Sequence, residues 1–200
     1  MSERRSLLSR ITLGILLWLY DRQNWTIIGG PPATRRCVLV GAPHTSNWDF
    51  VFFVGVTHEL GVLPGFMGKD TLFKWPFTRF LHDMGGVPVV RSSSHNYVDQ
   101  MIDEFARRKE LMLVVAPEGT RKGSAKWKSG FYHIAYGAGV PIIPAWVNHQ
   151  TRQGGLGPAI VPTGNYRADM EKIAAFFEAM MPGHPRWPAI TGGIGDNQRN

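Results

Sequence analysis

His44 and Asp49 stand in the stretch GAPHTSNWDF, residues 41–50, between the apolar runs Val38-Leu39-Val40 and Phe50-Val51-Phe52-Phe53. An imidazole and a carboxylate at this separation can meet if the chain turns into a helix between them. With Asn47 opening that helix, Asp49 falls in its first turn and its carboxylate can fold back onto imidazole Nδ1. Such a contact fixes the tautomer and steadies the imidazolium formed when Nε2 takes a proton, making the pair a general base for a hydroxyl or thiol. The same spacing also arises where Asp49 merely complements a helix N-terminus and His44 fills a loop.

No partner nucleophile is evident. The single cysteine, Cys37, excludes an intrachain disulfide and lies in the run RRCVLVGA, where it reads as a small buried strand residue. No Gly-x-Ser-x-Gly elbow occurs, so the base would act directly on a substrate hydroxyl, without a covalent enzyme intermediate. No metal is expected: there is no His-Glu-x-x-His. His58, His82, His95, His133, His149 and His184 form no ligand spacing and read as surface or core.

Two further clusters carry positive charge. In VVAPEGTRKGSAKWKSG a buried run leads into Glu118-Gly119-Thr120-Arg121. Gly119 allows backbone to approach a ligand closely, and the Arg121 fork suits phosphate or carboxylate. Lys122, Lys126 and Lys128 follow, and a solvated basic loop would look the same. In the second cluster, Lys69 follows one short apolar run and Arg91 another. Cations gathered beside a general base are what an anionic acceptor or a phosphorylated carrier requires.

The elements that must position these groups alternate. Residues 25–29, 36–42, 62–68, 86–90, 110–116 and 140–147 read as strands, with a possible last strand in GPAIVPT. Residues 47–60, 94–108, 129–138 and 167–181 read as helices, and a further helical stretch is divided at Pro76. This predicts a single α/β domain with a mostly parallel central sheet flanked by helices. Ligands in such sheets sit at the carboxyl ends of strands. His44–Asp49, Arg91 and Glu118–Arg121 each follow a predicted strand directly, so one edge should gather all three.

Length and composition agree. The chain has 200 residues, enough for one core, and its net charge of +7 suits an anionic partner. At the N-terminus, Arg4, Arg5 and Arg10 precede an apolar run from Ile11 to Tyr20. That run is too short to span a bilayer, and no cleavage site follows. Its arginines, Trp18 and Tyr20 predict an amphipathic helix lying in a membrane interface, although a helix covering the domain's own core fits too. The expected organisation is a membrane-associating helix over 1–24, a catalytic domain over 25–182 and a C-terminal tail over 183–200.

HTSNWD, GGVPVVR, PEGTR and GVPIIPAWV, in this order, resemble the sequence blocks of the glycerolipid acyltransferases, particularly the 1-acyl-glycerol-3-phosphate (lysophosphatidate) acyltransferase-like group. The resemblance covers about residues 36 to 165. It implies a glycerol-3-phosphate acyltransferase-like fold and transfer of an acyl group from acyl-CoA or acyl-carrier protein to a lysophospholipid hydroxyl, by default that of 1-acyl-glycerol-3-phosphate. By the same resemblance His44 is the base and Asp49 its orienting partner. Arg91 and Arg121, with Lys69, would bind acceptor phosphate. Glu118, Gly119 and Thr120 belong to the acceptor site, Glu118 through a glycerol hydroxyl.

No cofactor is implied beyond the thioester co-substrate. The enzyme would work at an anionic membrane surface, on the cytoplasmic face of the inner or plasma membrane. Pro43, Ala116, Pro88 and Val89 depart from residues common in the family, which leaves other acceptors open, such as lyso-ornithine lipid. A thioesterase or a non-catalytic lipid-binding protein of this fold are the remaining alternatives. Nucleic acid is not expected as a partner, because the aromatic residues are scattered rather than arrayed with the basic ones.

Overall fold

Helix α1 (Leu7–Asp21) comes first, followed by strand β1 (Thr26–Ile28), strand β2 (Arg36–Ala42) and helix α2 (Trp48–Glu59). Strand β3 (Gly65–Lys69), helix α3 (Thr78–Asp83), strand β4 (Gly86–Val89), helix α4 (Tyr97–Arg107) and strand β5 (Leu111–Val115) come next. Helix α5 (Gly130–Gly137), strand β6 (Ile142–Asn148), strand β7 (Gln153–Leu156), helix α6 (Tyr166–Met180) and helix α7 (Pro188–Thr191) follow. The computed structural model describes residues 5–90 and 97–192.

The strands form one sheet in the order β1-β7-β6-β2-β5-β3-β4. The five strands from β6 to β4 run parallel, so their carboxyl ends share one edge. Their near-continuous apolar sequences suit strands covered on both faces. Along β2 the period of two sorts the side chains. Val38, Val40 and Ala42 join a core with Met101 and Phe105 of α4, Phe131 and Ile134 of α5, and Ile173 and Phe177 of α6. Cys37 and Leu39, out of phase, pack on the opposite face with Val62, Met112 and Ile143. Burial there pushes the Cys37 thiol up to about 12.

Helices α1 and α2 pack closely because α2 carries Gly55, where a Cβ would lie 2.1 Å from the Tyr20 ring. The Tyr20 hydroxyl donates to Glu59 Oε2 at 2.9 Å. Burial, then this bond, pushes its pKa above the ordinary tyrosine value. At the other end of α1, the Ser6 amide and Ser9 hydroxyl donate to Asp83 Oδ2 at 2.7 and 2.8 Å. Helix α1 therefore does cover part of the domain, through Leu16, Leu19 and Tyr20. It also leaves Leu7, Leu8, Ile11, Ile15 and Trp18 exposed. Among the described residues no helix is long and apolar enough to cross a membrane.

The expected last strand is not formed. The segment GPAIVPT contributes only an isolated bridge, Ile160 to Ile142. The extra strand is β7, antiparallel to β6, and β1 pairs with it in parallel. The stretch after Met180 also folds back, burying Trp187, Ala189 and Ile190 in the main core.

Candidate active site

Strand β2 ends at Ala42, and the turn from Pro43 to Asn47 leads into α2. His44 sits in this turn, and its Nδ1 lies 3.0 Å from Asp49 Oδ2. The same oxygen accepts the Thr45 and Ser46 amides, both at 2.8 Å. Asp49 thus folds back onto the turn as expected and leaves little of itself exposed, 9%. Asn47 differs from expectation: its side chain makes no cap bond, and Ser46 Oγ accepts the Trp48 amide at 3.1 Å instead. With Nδ1–H directed at Asp49, the basic lone pair of His44 is on Nε2.

Asp49 has a second imidazole partner that sequence reasoning missed. His149 Nε2 lies 2.5 Å from Asp49 Oδ1, and its ring meets Trp25 edge-on with centroids 5.4 Å apart. Its signal was its position. His149 follows β6, which neighbours β2, so it emerges at the same sheet edge as His44. The carboxylate is therefore gripped by two amides and two imidazoles, which locks its orientation toward His44.

Glu118 follows β5, the other neighbour of β2, and is only 1% exposed. Its Oε1 accepts the His44 amide at 3.1 Å, while its Oε2 pairs with Arg186. Both oxygens are taken by the protein, so Glu118 supports the His44 turn. Gly119 has φ +67, a conformation that disfavours other residues, and a Cβ there would lie 2.8 Å from Lys128 Cε, so the flexible end of Lys128 packs against it. Thr120 Oγ1 accepts the Lys122 amide at 3.1 Å. Arg121 is exposed on the same loop, and Lys69 is exposed at the end of β3. Arg91 lies outside the described residues. His44 and Glu118 are thus in direct contact, and Arg121 and Lys69 emerge at the edge they share.

A largely apolar cavity of about 350 Å³ runs inward from this edge, between α2 and the sheet. His44, Asp49 and Pro43 stand among its lining residues, with Phe52, Phe53 and Val115. An elongated apolar group could enter it with its reactive end at the imidazole. Among the described residues no three His, Cys, Asp or Glu side chains come together as a metal-holding group.

Residues 26–148, which hold the His44–Asp49 pair and the Glu118–Arg121 loop, match the family model described as Acyltransferase. The chain belongs to the acyltransferase family. Within it, the chain is similar to proteins named 1-acyl-sn-glycerol-3-phosphate acyltransferase. That of Salmonella typhimurium is 30% identical over 119 residues, covering 56% of this chain and 47% of the relative. That of Escherichia coli is 31% identical over 114 residues, covering 54% and 45%. That of the plant Limnanthes alba is 28% identical over 145 residues, covering 70% and 50%. The match spans about half the length of these relatives. Arg186 and His149 both lie outside the residues that match the family model.

Proposed function

We propose that this protein transfers an acyl group from acyl-CoA or acyl-carrier protein to a lysophospholipid hydroxyl, with 1-acyl-glycerol-3-phosphate as the default acceptor. The observation that carries the reading is the oriented imidazole: His44 Nδ1 at 3.0 Å from Asp49, at an apolar cavity of about 350 Å³. His44 Nε2 takes the acceptor's hydroxyl proton as the oxygen attacks the thioester carbonyl. The tetrahedral intermediate collapses, the C–S bond breaks, and the imidazolium returns the proton to the departing thiolate. The products are an ester and a free thiol, and no cofactor enters the balance. Asp49 steadies the imidazolium in both halves.

The acyl chain occupies the apolar cavity. The acceptor phosphate lies over the exposed basic edge, where Arg121 and Lys69 meet it; Arg91 is assigned the same role from the family resemblance. Gly119 keeps the loop close to Lys128, and Thr120 shapes its turn.

The lipid substrates are met at an anionic membrane surface. Supporting this, α1 exposes Leu7, Leu8, Ile11, Ile15 and Trp18, and the segment between β3 and α3 exposes Leu72, Phe77 and Trp75, the last at 91%. Arg22 lies over the Trp18 ring at 5.0 Å. Aromatic and aliphatic side chains flanked by cations suit a helix lying in the interface. Both thioester donors place the work on the cytoplasmic face.

The test is a panel of lysophosphatidate, other lysophospholipids, lyso-ornithine lipid and monoacylglycerol, presented in vesicles with each donor. Products are followed by mass spectrometry. A diacyl product from a phosphate-bearing acceptor supports the proposal. Free fatty acid alone makes the protein a thioesterase, and a product from lyso-ornithine lipid alone reassigns the acceptor.

A further inference from the structure

Arg186 comes from the stretch that folds back after α6, far from the catalytic turn in sequence. Its Nη1 donates to the His44 carbonyl at 2.9 Å and pairs with Glu118 Oε2, and its Nη2 donates to the Arg121 carbonyl at 2.6 Å. Because Glu118 Oε1 accepts the His44 amide at 3.1 Å, the peptide groups flanking His44 are held from both sides. One guanidinium therefore joins the turn carrying the base to the loop carrying Arg121. Its side chain is only 20% exposed.

The neighbours of Arg186 fix it in place. Trp187 stacks obliquely on Phe177 with centroids 5.0 Å apart, and its indole donates to the Met181 carbonyl at 2.9 Å. The Ala189 carbonyl accepts the Trp127 amide at 2.9 Å, so the segment is tied to the basic loop itself. Gly123, with φ +84, brings that loop against the guanidinium. A planar fork with several donors can serve three acceptors at once; an ammonium has no such fixed geometry. Arg186 is also the partner of a carboxylate that is 1% exposed. Such a charge needs its counter-ion.

We propose that Arg186 is a positioning residue for acyl transfer, clamping the His44 turn to the Arg121 loop and so holding the base in place for any acceptor. It acts through the main chain of both residues and through Glu118, and it makes no contact with substrate. This rests on the reaction proposed above. Losing the clamp loosens the base relative to the acceptor, and a misplacement of about 1 Å can cost roughly 10²-fold in rate.

The test uses the full-length chain and Arg186→Lys, each with and without His44→Ala, and reads acyl transfer, thermal unfolding and amide hydrogen exchange. Arg186→Lys should lower kcat by about 10²-fold, on phosphate-bearing and neutral acceptors alike. In the His44→Ala background the same change should cost less than about threefold, since the base it positions is gone. Exchange should quicken in peptides covering 43–46 and 119–123, and Glu118→Gln should partly offset any fall in the unfolding temperature caused by Arg186→Ala. Wild-type-like kcat and exchange in Arg186→Lys would overturn the proposal, as would equal losses in both backgrounds. A loss confined to phosphate-bearing acceptors would make Arg186 a substrate ligand instead. If the wild-type protein transfers no acyl group, the proposed reaction fails, and the exchange measurements alone decide whether the clamp exists.

Discussion

Replacing Asp49 by Asn isolates charge from shape. The amide oxygen can still accept from Thr45, Ser46 and His44, as Oδ2 does at 2.8, 2.8 and 3.0 Å. The amide nitrogen then faces His149 Nε2, which accepts once His149 changes tautomer. The turn therefore survives, and what disappears is the negative charge beside an imidazole that must become an imidazolium. At 3.0 Å a unit charge pair is worth about 5 kcal/mol with an effective dielectric constant near 20, and about 1.4 kcal/mol in water. The His44 side chain is 32% exposed, which places the contribution between these, near 3 kcal/mol, or roughly 10²-fold in kcat. Thiol release from acyl-CoA, followed continuously with a chromogenic disulfide, measures this directly. Thermal unfolding alongside should change little. Turnover of Asp49→Asn within about threefold of the wild type would refute the electrostatic role given to Asp49.

Arg121→Ala should reduce kcat/KM by about 10²-fold for phosphate-bearing acceptors and less than about threefold for monoacylglycerol, as a charge-assisted phosphate contact requires; equal losses would remove that role. His149→Gln should lower kcat by no more than about tenfold, because Asp49 keeps its bond to His44 when one charge-assisted partner is lost; a loss as large as that of His44→Ala would make His149 the base. Cys37, its thiol pushed up to about 12 by burial, should resist iodoacetamide near neutral pH in the folded protein and react only on unfolding; rapid labelling of the folded chain would contradict its place in β2.

The parallel core was legible in the sequence because strands covered on both faces are written as continuous apolar runs, as in Leu111–Val115. The meeting of His44, Glu118 and Arg121 at one edge was legible for a related reason, since polar residues directly after such runs must gather where the strands end. Strand β7 was not. Its sequence, Gln153-Gly154-Gly155-Leu156, carries no apolar alternation. The glycines are there because other groups come close. A Cβ at Gly155 would lie 2.0 Å from the Ile28 carbonyl oxygen, and one at Gly154 would lie 2.3 Å from the Phe52 ring. Asn47 looked like a helix cap because its residue type favours one, yet the capping oxygen comes from Ser46. The family resemblance assigns Glu118 to the acceptor site; that its Oε1 accepts the His44 amide is set by tertiary packing and could not be read from PEGTR. Arg186 reaches the site only through the third dimension, and nothing in HPRWP announces a contact with a residue 68 positions away. His149, 100 positions from Asp49, carried one signal, its place directly after β6.

The central claim is that the His44 imidazole removes the acceptor's proton, and the most direct measurement compares wild type with His44→Ala in vesicles containing lysophosphatidate and an isotopically labelled acyl donor. Labelled diacyl product should form with the wild type and fall by about 10²–10⁴-fold in the variant, the range a lone general base supplies, with the unfolding temperature unchanged. Labelled phosphatidate formed by His44→Ala at the wild-type rate would contradict the account.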